Sequence, residues 1–322
     1  MLDRRTFVSL PAGAAVATAL SGAAPAPREP DATIRLWPGD APGLLDAALA
    51  DHVIDRSTSA AYRDRAYDRI RTPRLDVFRP ARPNGAAVLL MPGGGFERVV
   101  IDKEGYELAP WFAERGVTAF VLLYRLPRQG WRDGPNTPLA DAQRAMRLIR
   151  ARAGEFGVDP TRVAAMGFSA GGHLCADLAV RHMRRVYDAV DDADRLDARP
   201  MLASPIYPVI SMDPQIAHIG SRDRLIGASA TEDFGAEHSP ERQVSKATPP
   251  CFLLHAENDA TVPVANSLAF RAALKAASIP VEMHLFEHGG HGFGWGRNTV
   301  GRPVHLWPEL WWAWAKGHGL VS

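Results

Sequence analysis

Apolar residues in this chain come mostly in short unbroken runs. Ala86 to Met91, Thr118 to Tyr124, Arg162 to Phe168, Ala203 to Ile210, Cys251 to His255 and Val281 to Phe286 are such runs. Bounded by glycine, proline and charged residues, they read as strands, most of them buried on both faces. Leu75 to Phe78 alternates apolar and polar, the pattern of a half-buried strand. Between these runs the period changes. Leu139, Ala142, Ala145, Met146, Leu148 and Ile149 recur at helical spacing over 138–153. Helices are also predicted over 104–115 (ending at Gly116), 170–183, 264–277 and 308–317. Strands alternating with helices predict an α/β domain with a mostly parallel central sheet and helices on both faces. The stretch 211–248 fits neither period and reads as an irregular excursion.

The first residues break this pattern. Arg4 and Arg5 precede a run of small and apolar residues from Phe7 to Leu20, followed by candidate cleavage sites at 21–26. The run is too short to cross a bilayer, which takes about 20 residues. Residues 1–26 therefore read as an export signal of the twin-arginine type, 27–33 as a linker and 34–322 as one domain. The expected location is periplasmic or extracellular, with no membrane attachment after signal cleavage.

Composition narrows the picture. The 322 residues carry 37 basic and 36 acidic side chains. The net charge of +1 falls to zero when Asp3, Arg4 and Arg5 leave with the signal. That excludes the strongly basic balance of a nucleic-acid binder and favours a neutral substrate. Two cysteines, Cys175 and Cys251, cannot support a disulfide scaffold or a four-thiolate metal site. Both read as small buried hydrophobes. His284, His288 and His291 are closely spaced, but on a strand and a glycine loop that spacing is not a metal-binding face, so no metal is expected.

The chemistry concentrates in three loops. Gly167-Phe168-Ser169-Ala170-Gly171 is a G-x-S-x-G motif between a strand and a helix, a sharp turn that exposes a strained serine. Ser169 needs a base, and the base needs an orienting acid. After the strand at 251–255 come Glu257 and Asp259; Asp259 is favoured and Glu257 is the alternative. After the strand at 281–286 come His288 and His291. Flanking glycines favour His291. An oxyanion needs preorganised N–H donors, expected from Ala170 and from Gly94 or Gly95 of the Pro92–Phe96 loop. Phe96, Trp131, Phe293 and Trp295 flank these loops and are candidates to line the substrate pocket. His173 reads as packing or capping, and Trp307, Trp311 and Trp314 as one buried helix face.

Together these motifs resemble the α/β-hydrolase superfamily of serine esterases. More narrowly, LWPGDAPG at 36–43, PGGGF at 92–96, KEGYELAPWFAERG at 103–116, YRLP at 124–127, DAQRAMRLIRARA at 141–153, GFSAGGHL at 167–174, ENDATVP at 257–263 and GGHGFGW at 289–295 resemble the bacterial exported acetylxylan and feruloyl esterases. The resemblance implies the α/β-hydrolase fold and cofactor-free hydrolysis of acylated sugars, small or polymeric, with Ser169, Asp259 and His291 in the family's catalytic positions. Relatives with an HGGG loop have histidine where this chain has Pro92, so the loop must be supported differently. Two rival readings share the fold: a peptidase of the prolyl-oligopeptidase kind and a non-catalytic carbohydrate-binding protein.

Overall fold

The computed structural model describes residues 28–58 and 62–322. The expected export signal lies outside them. Ten strands and seven α-helices are found among the described residues. The amino-terminal part is built from β1 (Ala32–Arg35), the paired β2 (His52–Asp55) and β3 (Arg65–Asp68), and β4 (Arg74–Phe78). Alternation follows, with β5 (Gly85–Met91), α1 (Ala109–Glu114), β6 (Thr118–Leu123), α2 (Thr137–Ala151), β7 (Val158–Phe168) and α3 (Ser169–Arg181). After β8 (Ala203–Ile206) come the short α4 (Ile219–Leu225) and α5 (Glu232–Glu237). The chain closes with β9 (Cys251–Ala256), α6 (Ala265–Ala276), β10 (Val281–Phe286) and α7 (Trp307–Gly317).

Eight strands form one sheet in the order β1-β4-β6-β5-β7-β8-β9-β10. Only β4 runs against its neighbours; from β6 to β10 every pairing is parallel. β6 and β9 are buried at every position and β5 from Ala86 on, because helices cover the sheet. α2 packs on α3, and α1 meets α7 through the Phe112–Trp311 and Trp111–Trp312 ring pairs. Trp307, Trp311 and Trp314 are buried, as their spacing predicts. Cys175 and Cys251 are buried, free thiols.

The register brings the carboxyl ends of the strands level. Met91 pairs with Gly167, Phe168 with Ile206, and Ala256 with Phe286. The loops that leave those ends therefore meet at one edge, where open α/β sheets place their sites.

Five expectations change. The strand Leu75–Phe78 is buried on both faces. Its polar member Asp76 accepts hydrogen bonds from Tyr106 Oη, Thr33 Oγ1 and Arg74 Nε, which offset the cost of burial. The 104–115 helix starts as a π-turn, Asp102–Tyr106, with Tyr106 N bonded to Ile101 O and Glu107 N to Asp102 O. The strand predicted over 203–210 ends at Ile206, because Tyr207 adopts φ 36°. β1 begins at Ala32, inside the stretch read as linker, and 211–248 contains α4 and α5.

Candidate active site

β7 delivers Ser169 directly onto the first turn of α3, with φ 53°. A left-handed backbone is unfavourable for a non-glycine residue, and the packing enforces it. A Cβ on Gly167 would lie 2.0 Å from Gly171 O, and one on Gly171 2.1 Å from Met91 O. Only glycines let strand, turn and helix approach this closely.

Ser169 Oγ lies 2.8 Å from His291 Nε2. His291 Nδ1 lies 2.7 Å from Asp259 Oδ2. With Nδ1 donating to the carboxylate, Nε2 is free to take the serine proton. Ser169, Asp259 and His291 thus come together from three strand ends. Glu257 is exposed and its amide bonds Phe286 O; His288 faces solvent beside Glu287.

Asp259 is held more firmly than a triad requires. Oδ1 accepts the Thr261 and Val262 amides, each at 2.9 Å. Oδ2 also accepts His255 Nε2 at 3.1 Å. That same nitrogen lies 3.0 Å from Val262 O, so Nε2 carries the proton and Nδ1 accepts from Ser267 Oγ. His255 is completely buried. Burial would raise the Asp259 pKa, but hydrogen bonds from His255, His291 and the Val262 amide, with the charge on His291, hold it well below the usual carboxylate range. Asn258 Oδ1 accepts the Gly289 and Gly290 amides at 2.9 Å each, and Trp307 Nε1 donates to Gly294 O. Those bonds fix the loop that carries His291.

The Pro92–Phe96 loop lies against Ser169. Glu104 supports it from below. Its Oε2 accepts the Gly93 amide at 2.7 Å and its Oε1 accepts Tyr207 Oη at 2.9 Å. Tyr207 Oη in turn accepts the Gly294 amide, so one buried pair ties the glycine loop to the histidine loop. Burial and the neighbouring Glu104 push the Tyr207 pKa well above its ordinary value, which keeps the phenol protonated. Tyr124 Oη donates to Pro92 O, and the Val100 amide to Gly93 O. Gly94 and Gly95 hold φ 131° and 67°. Their amides have no partner among the described residues. Ala170 is the second residue of α3, where helical amides lack intrahelical acceptors. All three are available to an oxyanion.

A cavity of about 500 Å³ opens on Ser169 and His291. Its walls include Gly94 and Gly95, with Arg98, Lys103, His218 and Arg224. The four aromatics expected there sit elsewhere. Phe96 packs on the His173 ring, Trp131 lies under the Arg125 guanidinium, Phe293 stacks edge-on against Tyr207, and Trp295 meets Trp111. Aromatic rings contribute most when desolvated, and these fill the core around the loops. His173 is a packing residue, bonded to His238 O. Sequence reasoning missed Glu104, His218 and Arg224. The first sits on an unforeseen π-turn, His218 caps α4 and Arg224 lies on it, within the excursion. Among the described residues no group of three or more histidine, cysteine or acidic side chains could hold a metal ion.

The sheet order and the serine turn define the chain as an α/β hydrolase. It belongs to the BD-FAE family, whose model matches residues 75–274. It is 31% identical to the acetyl ester-xyloside bifunctional hydrolase of Caldicellulosiruptor lactoaceticus, with a TM-score of 0.72 over 91% of this chain and 98% of that one. The apo form of Thermogutta terrifontis esterase 2 matches at 25% identity and a TM-score of 0.63, over 89% and 98% of the two chains. An acetylxylan esterase of Xylanibacter ruminicola is 32% identical over 228 residues, 69% of this chain and 44% of its own. The endo-1,4-beta-xylanase B of Butyrivibrio fibrisolvens is 38% identical over 205 residues, 64% of this chain and 32% of its own. The match therefore spans less than half the length of either curated relative.

Proposed function

We propose that this protein is a serine esterase that removes small acyl groups, acetyl foremost, from sugars or cell-wall polysaccharides. The observation that carries the reading is the continuous chain Ser169 Oγ, His291, Asp259, with 2.8 and 2.7 Å between partners. The likeness to an acetylxylan esterase and to an acetyl ester-xyloside bifunctional hydrolase supports the acetyl-sugar substrate.

His291 Nε2 takes the Ser169 proton as Oγ attacks the ester carbonyl. The oxyanion receives hydrogen bonds from Ala170 and from the Gly94–Gly95 loop. Asp259 orients His291 and stabilises its charged form. His291 returns the proton to the departing alcohol, and water then cleaves the acyl-enzyme by the same steps. No cofactor enters this sequence. Replacing Ser169 by alanine should abolish hydrolysis of 4-nitrophenyl acetate and labelling by a fluorophosphonate probe. Persistent turnover in that variant would overturn the reading.

Export completes the proposal. Residues 1–26 carry the twin-arginine pattern, and among the described residues no helix is long and apolar enough to cross a membrane. Replacing Arg4 and Arg5 by lysine should retain the protein in the cytoplasm. Unaltered export, followed by fractionation, would refute a twin-arginine route.

A further inference from the structure

The net charge of the chain is nearly zero, yet the cavity mouth is not neutral. Four cationic side chains line it, Arg56, Arg98, Lys103 and Arg224, against two carboxylates, Glu97 and Glu104. The carboxylates are already committed. Glu104 is buried beneath the glycine loop and accepts Gly93 N and Tyr207 Oη. Glu97 is shared by two arginines, Arg224 at 2.8 Å and Arg98 at 3.3 Å. Arg56 has its own partner, Asp64, at 3.4 Å. Lys103 has no carboxylate partner among the described residues. Positive charge is therefore left over where the cavity meets solvent.

Two of these cations stand beside the reacting groups. Nη1 of Arg224, which donates to Gly220 O at 3.0 Å, lies 4.0 Å from the position a Cβ on Gly95 would take, above the glycine loop. Nζ of Lys103 lies 4.0 Å from the same position on Gly292, next to His291. One cation thus sits on the glycine-loop side of Ser169 and the other on the histidine side. His218 lines the wall between them. Its Nδ1 caps α4 by accepting the Ser221 amide, leaving Nε2–H as a donor to the cavity. Burial, with the charges of His291 and Arg224, lowers its pKa and keeps it neutral.

We propose that the site selects esters whose alcohol carries a carboxylate, such as an acetylated sugar bearing a uronic acid, with Lys103 and Arg224 holding the anion. The inference rests on the esterase reading. An acetyl group is small and is confined next to Ser169 and the oxyanion donors, so the alcohol is the part that reaches the mouth. A carboxylate there meets guanidinium and ammonium donors in a partly desolvated cleft, where charge attraction is stronger than in water.

The test compares kcat/KM for 4-acetoxybenzoate with that for its neutral methyl ester, in the wild type, Lys103→Met, Lys103→Arg and Arg224→Gln. Differences in leaving-group reactivity cancel when the anionic-to-neutral ratio is compared between variants. The ratio should fall about five- to tenfold in Lys103→Met and in Arg224→Gln. It should recover in Lys103→Arg and fall in the wild type at about 0.5 M salt. Acetylated xylo-oligosaccharides with and without a uronic acid branch should follow the same order. An unchanged ratio in Lys103→Met overturns the proposal. So does a preference that appears only with a mono-4-nitrophenyl dicarboxylate, which puts the anion on the acyl side. Hydrolysis of 4-nitrophenyl acetate, measured on the same preparations, keeps the two readings apart. If the wild type lacks it, the esterase reading fails; if it is present and dependent on Ser169 while the ratio does not move, only the anionic mouth fails.

Discussion

Ser169 stores strain. Its φ of 53° is a region that costs a side-chain-bearing residue about 1 kcal/mol or more. Glycine adopts it freely. Ser169→Gly should therefore be more stable to urea than Ser169→Ala by about 1 kcal/mol, since both lack the hydroxyl and only one keeps the strain. Equal midpoints would show that the turn is not strained. A second prediction concerns Glu104. In Glu104→Ala the Gly93 amide and Tyr207 Oη lose their buried acceptor. Stability should drop by about 2–4 kcal/mol, and kcat should fall at least about tenfold with a smaller change in KM, because an oxyanion donor acts mainly in the transition state. The third is at His255. Replacing it by leucine removes one of the donors that stabilise the Asp259 carboxylate. The carboxylate then holds the histidinium more tightly, and the acidic limb of the kcat/KM profile should move to higher pH. Lost stability with an unmoved limb would make His255 a packing residue only. Ser169, Asp259 and His291 were legible because glycines and strand ends mark them. Glu104 and His255 were not, because a buried carboxylate and a strand histidine look like ordinary core exceptions until their partners are known.

Elements were legible where burial was two-sided. β5, β6 and β9 are apolar but for Thr118 and His255, since both faces are covered, and no alternation is needed to find them. β1, β2 and β3 have four residues each, and β2 and β3 lie outside the main sheet, so no periodic signal accumulates. α4 and α5 are likewise short and rely on caps, with His218 and Thr231 accepting the Ser221 and Phe234 amides. The π-turn at Asp102–Tyr106 has no sequence period to betray it. Asp102 is fixed there by the Arg65 backbone and guanidinium. Gly105 sits so close to β6 that a Cβ would lie 2.5 Å from Val121 Cγ1. The turn sets Lys103 at the mouth and Glu104 beneath the loop. At this scale the sharpest test is Gly171→Ala. The new methyl would lie 2.1 Å from Met91 O and 2.5 Å from Pro92 O, forcing α3 away from β5. Urea denaturation should show a loss of several kcal/mol, at least about 3.

The whole molecule carries an acid sensitivity that its net charge hides. His173, His182, His218 and His238 all have lowered pKa values, with burial the leading cause in each. For His238 burial outweighs the pull of Asp177 and, with Arg181, His173 and Arg184 adding to it, takes the value to about 4. Between that value and the ordinary 6.5 the unfolded chain binds more protons than the folded one. Stability therefore falls as pH drops through this window. His238 contributes on the order of 3 kcal/mol to that loss. Urea midpoints at pH 7 and 4.5 should differ accordingly, and His238→Phe should flatten the slope. A slope that stays steep in the variant would assign the sensitivity elsewhere. Asp259 adds to the loss only toward the acid end of this window, where the unfolded carboxyl, with its ordinary value of 3.8, begins to take protons while the folded one stays ionised. Composition could foretell neither this nor the cationic mouth, since a net sum keeps no record of where charges sit.

Trp307 Nε1 donates to Gly294 O, and Trp311 Nε1 donates to Ser204 Oγ. α7 thereby clasps the loop carrying His291 and the strand next to Ser169. In order of synthesis, the serine comes 122 positions before the histidine, and the clasp comes later still. A growing chain can lay down the sheet through β9 and remain inert, because its base is not yet made, and the last bond on the His291 loop, from Trp307 Nε1 to Gly294 O, forms only when α7 docks. Hydrolysis is in that sense a completion signal. Chains released short of Trp307 should carry a formed nucleophile turn without the ability to use it.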